Sequence, residues 1–468
     1  MMNKDRLLSV IDKYEEKLCT MAKDIWDHPQ TALLEDYAAV LLEDFFKAEG
    51  FRVQRGYTVL PTAFIAEYGS GKPVIGILGE YDALPDLSQE VSAEKKPVEP
   101  GKAGHGCGHN LLGTAGVGAA LAIKAAIDDG VISGTVKFFG CPAEELVIGK
   151  TFMARDGAFD GVDAFVTWHP SSYNAAWGNT MLANFSVKFR FKGTSAHAAA
   201  APHLGRSALD AVELMNVGAN YLREHLPENM RMHYSITDGG GVPNTVPSHA
   251  EVWYMLRAPE HGLVEDAKKR LFKIADGAAM MTETTLEKVT VIGSVREVLV
   301  NTVIRDIIDE NMRSIGGPAF TDEDRAFARE IYDTFEPGEQ RRGFAPFFIP
   351  DDMEGQFLHE TVAPIAGIGG CIPVSSDVAD ASWLAPTSQF GAAIFPLGVA
   401  LHTWRSAACA GSGIGMHGML FAAKTIAGTV YDLFTKPEVL EKAKAEFAQN
   451  TKNDPYVCPF HMEQTPGL

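Results

Sequence analysis

Cys107 and His109 sit two positions apart in the segment Gly104-His105-Gly106-Cys107-Gly108-His109-Asn110. A thiolate and an imidazole together form a transition-metal ligand set. In an extended backbone, positions i and i+2 point to the same side. The two donors can therefore converge, and the glycines at 104, 106 and 108 let the backbone come close to that point. Two donors alone are weak evidence, because a buried cysteine is usually an inert core residue. Three more places in the chain carry matching chemistry: Glu144-Glu145, His169 and His402.

Adjacent residues of an extended segment point in opposite directions. One carboxylate of Glu144-Glu145 can then bind a metal while its neighbour faces a substrate. Hydrolysis at a metal needs that division: the metal makes a water acidic, and a non-ligand carboxylate takes its proton and passes it to the leaving nitrogen. The bland alternative is a solvated acidic pair at a helix start, favoured by the helix dipole. His169 follows the apolar run Ala164–Trp168, and His402 follows Leu397–Leu401. Each alone could be structural. Together, Cys107, His109, Glu145, His169 and His402 supply five donors, sufficient for two metals sharing a thiolate or a water. A Cys107 nucleophile activated by His109 is a poorer reading, since the spacing suits base activation badly and the Glu pair is left unexplained.

The elements that would hold these residues follow from hydrophobic periodicity. Leu7, Leu8, Ile11, Tyr14, Leu18, Met21 and Ile25 predict an amphipathic helix over 4–26, ending before Pro29. A second helix is expected through about 39–48. Val74–Leu78, Thr135–Gly140 and Asp163–Trp168 read as buried strands, and Leu111–Ile127 reads as a buried helix. Strands alternating with helices predict an α/β sheet covered on both faces, whose strand ends open into the loops that carry the candidate donors.

Between 181 and 298 the pattern changes. Phe185, Val187, Phe189 and Phe191 alternate with Ser186, Lys188 and Arg190, the mark of a strand with one wet face. Helices near 206–226 and 263–280, with strands near 232–237, 250–257 and 289–298, complete the order β-α-β-β-α-β of a ferredoxin-like layer. The expected organisation is a discontinuous α/β domain (1–180 and 299–468) with a smaller α+β domain inserted at 181–298. Residues 320–370 read as an acidic, Pro/Gly-rich excursion over the surface, and a buried helix is expected near 415–434.

The net charge of −19 gives no basic excess to neutralise phosphate, which argues against a nucleic-acid partner. The six cysteines (19, 107, 141, 371, 409 and 458) are too scattered for a disulfide framework. Residues 1–18 are charged throughout and lack the apolar core of a signal peptide. The longest apolar runs are broken by glycine or proline, or are too short to span a bilayer. The expected compartment is the cytoplasm, with no membrane partner.

The motifs also resemble a known family. His28-Pro29, Glu80-Tyr81-Asp82-Ala83-Leu84-Pro85, the 104–110 segment, Pro142-Ala143-Glu144-Glu145, Trp168-His169-Pro170, Gly193–Ala199, Pro243-Asn244, Ser375-Ser376-Asp377 and Leu401–Trp404 occur in that order. This series resembles the dinuclear metallo-amidohydrolases that include hippurate and auxin-conjugate hydrolases, most closely their aminobenzoyl-glutamate-hydrolysing branch. The resemblance covers essentially the whole chain.

It implies a catalytic α/β domain with a mixed sheet, and a lid or dimerisation role for 181–298. By resemblance, Cys107, His109, Glu145, His169 and His402 are metal ligands and Glu144 is the general base. His197 polarises the scissile carbonyl, often in the active site of a partner chain. Asn244 and Arg257 hold the substrate's carboxylate or oxyanion, where an Arg fork suits a carboxylate; the competing reading of Arg257 is a surface charge at a strand edge.

The expected substrate is a small amide with a free carboxylate: an N-acyl amino acid or an aminobenzoyl-glutamate-like conjugate. A general aminoacylase or dipeptidase and a non-catalytic partner subunit are the alternatives. Two divalent ions are expected; thiolate and imidazole favour Zn²⁺, whereas the resemblance points to Mn²⁺. The expected assembly is a homodimer through the inserted domain, or a hetero-oligomer with a related chain. Three departures stand out: Leu146-Val147-Ile148 where relatives have Gly-Gly, Asn110 where many have Asp, and Gln30 where Glu is common. None removes a proposed ligand.

Overall fold

The computed structural model describes residues 3–466 apart from Tyr57 and the side chain of Ala345. The chain begins with helices α1 (Lys4–Asp27) and α2 (Asp36–Ala48), then strands β1 (Arg52–Arg55), β2 (Phe64–Ser70) and β3 (Val74–Glu80). Helix α3 (His109–Asp128), strand β4 (Gly134–Cys141), helix α4 (Gly149–Arg155) and strands β5 (Ala164–Ser171) and β6 (Ala175–Ala176) follow. The middle carries β7 (Thr180–Met181), β8 (Ala183–Lys192), α5 (Ala208–Arg223), β9 (Arg231–Asp238), β10 (His249–Ala258), α6 (His261–Thr282) and β11 (Thr285–Val295). The remainder is mostly helical: α7 (Thr302–Ile315), α8 (Asp322–Tyr332), α9 (Glu339–Phe344), β12 (Cys371–Ile372), α10 (Val378–Ser382), β13 (Thr387–Ala393), α11 (Trp404–Ala410), α12 (Gly413–Thr435) and α13 (Pro437–Thr451).

Two compact units emerge. The larger comprises Met1–Thr180, Leu299–Ile372 and Asp377–Glu463; the smaller comprises Met181–Val298 with the short pieces Pro373–Ser376 and the end of the chain from Gln464. Those two pieces were not legible as part of the insertion.

The larger unit holds a mixed seven-stranded sheet of order β1-β2-β4-β3-β5-β13-β6. Strand β3 runs parallel to β4 and β5, and β5 runs parallel to β13. These four strands therefore end on the same side, where open α/β sheets place their ligand-binding loops. The buried runs that predicted them, such as Ile75, Ile77 and Leu78, are fully covered. Helix α3 is long and apolar enough to cross a bilayer by composition, yet its surface is almost wholly packed inside this unit. Gly113 permits its close seat on the sheet: a Cβ there would lie 2.7 Å from the Glu80 carbonyl oxygen.

Two expectations need correction. The strand expected to stop at Trp168 runs to Ser171, so His169 lies within it. The supposed excursion at 320–370 contains helices. The acidic stretch at 322–324 is the first turn of α8, closed by a capping box between Thr321 and Asp324, and Ala328 and Ile331 are buried against the core. Carboxylates favoured by a helix N-terminus read, in sequence alone, like a solvated loop.

The smaller unit is a four-stranded antiparallel sheet of order β11-β8-β10-β9, covered on one face by α5 and α6. Phe185, Val187, Phe189 and Phe191 point into its core. The opposite face is drier than the alternation predicted: Ser186 is buried there and accepts a hydrogen bond from Trp253 Nε1 (2.7 Å).

Candidate metal centre

Cys107 and His109 do converge, but not along an extended strand. His109 is the first residue of α3, and Gly108 before it is left-handed (φ 85°). A Cβ at Gly108 would also press on the Pro170 ring, at 3.0 Å from Cγ. A turn that only glycine makes cheaply therefore swings the thiol and the imidazole together. Asn110 anchors the turn by donating to the carbonyls of Ala22 (3.1 Å) and Ala410 (3.0 Å).

Two of the three candidate imidazoles have one nitrogen committed. His109 Nδ1 bonds Asp82 Oδ1 at 2.8 Å, and His169 Nδ1 donates to the Pro170 carbonyl at 2.8 Å. That leaves the Nε2 lone pairs free, as in metal-binding histidines whose other N–H is held by an oxygen. Cys107 Sγ lies 3.5 Å from His169 Nε2, and Glu145 Oε2 lies 3.4 Å from His402 Nε2. The backbone N–H of His402 donates to the Gly106 carbonyl (3.0 Å), tying its left-handed turn (φ 61°) to the cysteine loop.

Three donor groups result, two of them sharing the thiol: Cys107 with His109 and His169, Cys107 with Glu145 and His402, and Glu80 with His109 and Glu144. Within each, the donor atoms lie within 4.8 Å of one another. The thiol belongs to the first two, the position of a bridging ligand. His109 Nε2 and Glu145 Oε1 are buried without a hydrogen-bond partner. Buried polar atoms are normally satisfied, so orphaned atoms among soft and hard donors fit a pair of divalent cations.

Glu144 belongs to neither thiol-containing triad but to the third group; its Oε2 lies 3.9 Å from His109 Nε2. The two glutamates diverge, though not by strand alternation. Ala143 before them is left-handed (φ 57°), and Glu144–Leu146 form a 3₁₀ turn. The carboxylate of Glu35 holds this turn: it accepts the Ala143 N–H (2.8 Å) and the Leu33 N–H (2.9 Å) on one oxygen and the Thr62 hydroxyl (3.1 Å) on the other.

The electrostatics are those of an anionic cluster in a dry site. Burial pushes the Cys107 thiol well above its usual range and raises Glu145 to about 7. Glu144 rises far above the carboxylate range through burial, with Glu80 and Asp377 adding like charge. Burial lowers His169 to about 4 and lowers His402. It also opposes charge on His109, but Cys107 and Asp82 outweigh it and hold that ring's pKa high. A thiol held protonated is no nucleophile; a bound cation is what would ionise it.

Several supporting residues escaped sequence reading. Asp82 holds His109 with one oxygen and accepts the Glu145 N–H (2.8 Å) with the other. Lys150, fully buried, donates to Glu80 and Asp377 at 2.6 Å each, and its backbone N–H donates to Asp377 at 2.7 Å. Asp82, Glu80 and Asp377 lay in motifs already noted. The remaining signal was Lys150, a cation directly after the apolar Leu146-Val147-Ile148 run and glycine.

The other three candidates lie in the smaller unit. His197 bridges Thr245, and the Ala198 N–H donates to the Asn244 carbonyl (3.0 Å), so His197 and Asn244 occupy facing loops; both are exposed. His197 Nδ1 accepts from the N–H groups of Ala199 (3.3 Å) and Ala200 (3.1 Å), which leaves Nε2–H as the outward donor. Arg257 is not at a sheet edge. It lies on the inner strand β10, between Asn184 of β8 and Arg231 of β9, half-buried against Met255. Burial lowers its pKa.

A family model described as a peptidase dimerisation domain matches residues 181–280. The chain is 42% identical to one of the subunits of p-aminobenzoyl-glutamate hydrolase from Escherichia coli (strain K12), over 98% of this chain and 97% of that one. It is 30% identical to the Xaa-Arg dipeptidase of Mus musculus, over 95% and 92% of the two chains. Its fold matches the crystal structure of a dinuclear metal-binding peptidase of the M20 family from Bacillus subtilis (TM-score 0.54, 17% identity, 89% of this chain and 98% of the other).

Proposed function

The chain belongs to the M20 family of metal-dependent peptidases and amidohydrolases, and on that premise we propose that it cleaves N-acyl amino acids or aminobenzoyl-glutamate-like conjugates and releases the free amino acid. The 42%-identical relative acts on p-aminobenzoyl-glutamate by name, which makes that amide the leading candidate. The observation that carries the reading is a thiol common to two donor triads, with a deeply buried carboxylate, Glu144, left outside both. A chain with no catalytic role would have no need to keep that set intact.

Cys107, His109 and His169 would hold one ion, and Cys107, Glu145 and His402 the other. Zn²⁺ suits the donors by softness, and Mn²⁺ is the alternative. Bound there, the pair would polarise the scissile carbonyl and acidify a water. Glu144 would take a proton from the attacking water and deliver it to the leaving nitrogen; its raised pKa suits a group that must hold a proton between the two steps. His197 Nε2–H donates to the developing oxyanion. Arg257, desolvated and with no carboxylate partner among the described residues of its unit, binds the substrate carboxylate with help from Asn244.

The smaller unit would pair two chains. Strand β9 ends its sheet, and Tyr234 and Ile236 on it, with Val217 and Tyr221 on α5, are exposed apolar side chains. A second copy is the proposed occupant, and a related chain is the alternative. The proposed compartment is the cytoplasm, where the six free cysteines would stay reduced.

A hydrolysis screen on metal-reconstituted protein tests the reading, with p-aminobenzoyl-glutamate beside other N-acyl amino acids and dipeptides. Release of glutamate and p-aminobenzoate is the expected result. Cleavage confined to free dipeptides, or no amide cleaved with both metals bound, would overturn it.

A further inference from the structure

We propose that Glu80 is a sixth donor of the metal centre, joining His109 on its ion and aimed there by Lys150. The inference rests on the dinuclear reading above and adds a ligand to it.

Glu80 ends β3, the central parallel strand of the sheet. Its carboxylate is buried and its two oxygens have different fates. Oε1 accepts from Lys150 Nζ at 2.6 Å. Oε2 is buried, hydrogen-bonds nothing, and lies 3.3 Å from His109 Nε2, which is equally orphaned. Asp82 already occupies the other nitrogen of that ring. Two buried polar atoms this close need a proton or a metal cation between them.

The spacing is that of two ligands on one ion. Metal–donor bonds of about 2.0–2.3 Å at tetrahedral angles put neighbouring donors roughly 3.3–3.6 Å apart. The Cys107–His169 and Glu145–His402 contacts, 3.5 and 3.4 Å, are of that kind. The Glu80–His109 contact, 3.3 Å, is the third. Glu80 shares a donor group within 4.8 Å with His109 and Glu144 rather than with Cys107 and His169 together, so His109 is its link to the first ion.

Lys150 explains why this carboxylate can serve. Shared between Glu80 and Asp377 at 2.6 Å each, its ammonium neutralises the oxygen it touches and fixes the rotation of the Glu80 carboxylate, so that Oε2 faces the histidine. The charge that Glu80 adds brings the donor set to three anions, with the Cys107 thiolate and Glu145. The second triad keeps only its three donors, the half-exposed His402 among them, the condition for an open coordination position.

The test is metal binding by the full chain, read apart from hydrolysis. Glu80→Gln keeps the side chain's length and its acceptor for Lys150 but removes the anionic donor. Equilibrium dialysis against buffered Zn²⁺, with metal counted per chain, is expected to show one of two ions bound at least about tenfold more weakly. In Co²⁺-loaded protein, the thiolate charge-transfer band of Cys107 should persist while the d–d bands of one ion shift. Two ions bound with parental affinity would overturn the proposal. So would weaker binding with unchanged d–d bands, because Glu80 would then act from outside the coordination sphere. Glu80→Asp, which keeps the charge but draws the oxygen back by one methylene, should reproduce the loss; circular dichroism of both metal-free variants checks that the fold survives. Metal counts remain decisive even if the substrate screen fails, so the two readings can fall separately.

Discussion

The two groups of candidate residues are held in opposite ways. In the larger unit the donors are held from behind by a second side chain or a carbonyl at three places: His109 by Asp82, His169 by the Pro170 carbonyl, the Glu144-Glu145 turn by Glu35. In the smaller unit His197 and Asn244 are exposed and positioned by backbone contacts between two loops. Buried, over-determined groups suit metal binding, where small displacements are costly. Exposed donors on loops suit substrate recognition, where adaptability is useful. Apart from the proton shuttle Glu144, variants in the first group should therefore change metal content or folding, and those in the second should change kinetics alone.

The harshest test of this contrast is Lys150→Met. It leaves Glu80 and Asp377 buried without their cation, and breaking a buried pair in this way costs about 3–5 kcal/mol. Denaturant unfolding of the metal-free protein should report that loss. A variant as stable as the parent would mean that the larger unit is less tightly determined than its geometry indicates.

Next in size is Glu144→Ala. Removal of the proton shuttle should lower turnover by about 10²–10⁴-fold, while both ions stay bound because Glu144 is outside the two triads. Retained activity would sink the mechanism; lost metal would make Glu144 a ligand. Asp82→Ala should do the reverse, weakening metal affinity by about 10–100-fold through the freed His109 ring. Arg257→Lys, in the other unit, should raise KM for carboxylate-bearing substrates by about tenfold, since a point charge replaces a two-pronged donor, with metal content untouched. Metal loss in that variant would erase the distinction between the units.

The same contrast governs how much was legible in the sequence. The parallel strands β3, β4 and β5, helices α1 and α3 and the ferredoxin-like insertion were readable, because buried runs and alternation report faces directly; β1, β2 and β13 of the same sheet were not. The candidate donors stood out because Cys, His and Glu beside buried apolar runs are uncommon. Their mutual geometry did not. The pairings rest on left-handed turns at Gly108, Ala143 and His402, and no periodicity signals those. The supports were hidden too: Lys150 and Asp377 lie 227 positions apart, and Asp82 looks like an ordinary loop acid. Helix α8 was missed because its capping acids resemble surface charge.

The smallest expected effect is a pH dependence confined to the larger unit. Burial raises Glu145 to about 7, and burial likewise raises Glu35 and Asp380 to about 7. A carboxyl whose folded pKa lies above its unfolded value binds its proton more tightly in the native state. Such groups favour the metal-free fold at pH 4 and withdraw that support as pH rises from about 4 to 7. Metal binding runs the other way, because Glu145 must ionise to act as a ligand. The gap in Tm between metal-loaded and metal-free protein should thus widen between pH 5 and 7.5, by on the order of a few degrees. Glu145→Gln should flatten part of this slope, whereas His197→Ala should leave it unchanged, since an exposed group of the smaller unit has no part in it. A His197→Ala protein with a flattened slope would show that the two groups of residues are not electrostatically separate after all.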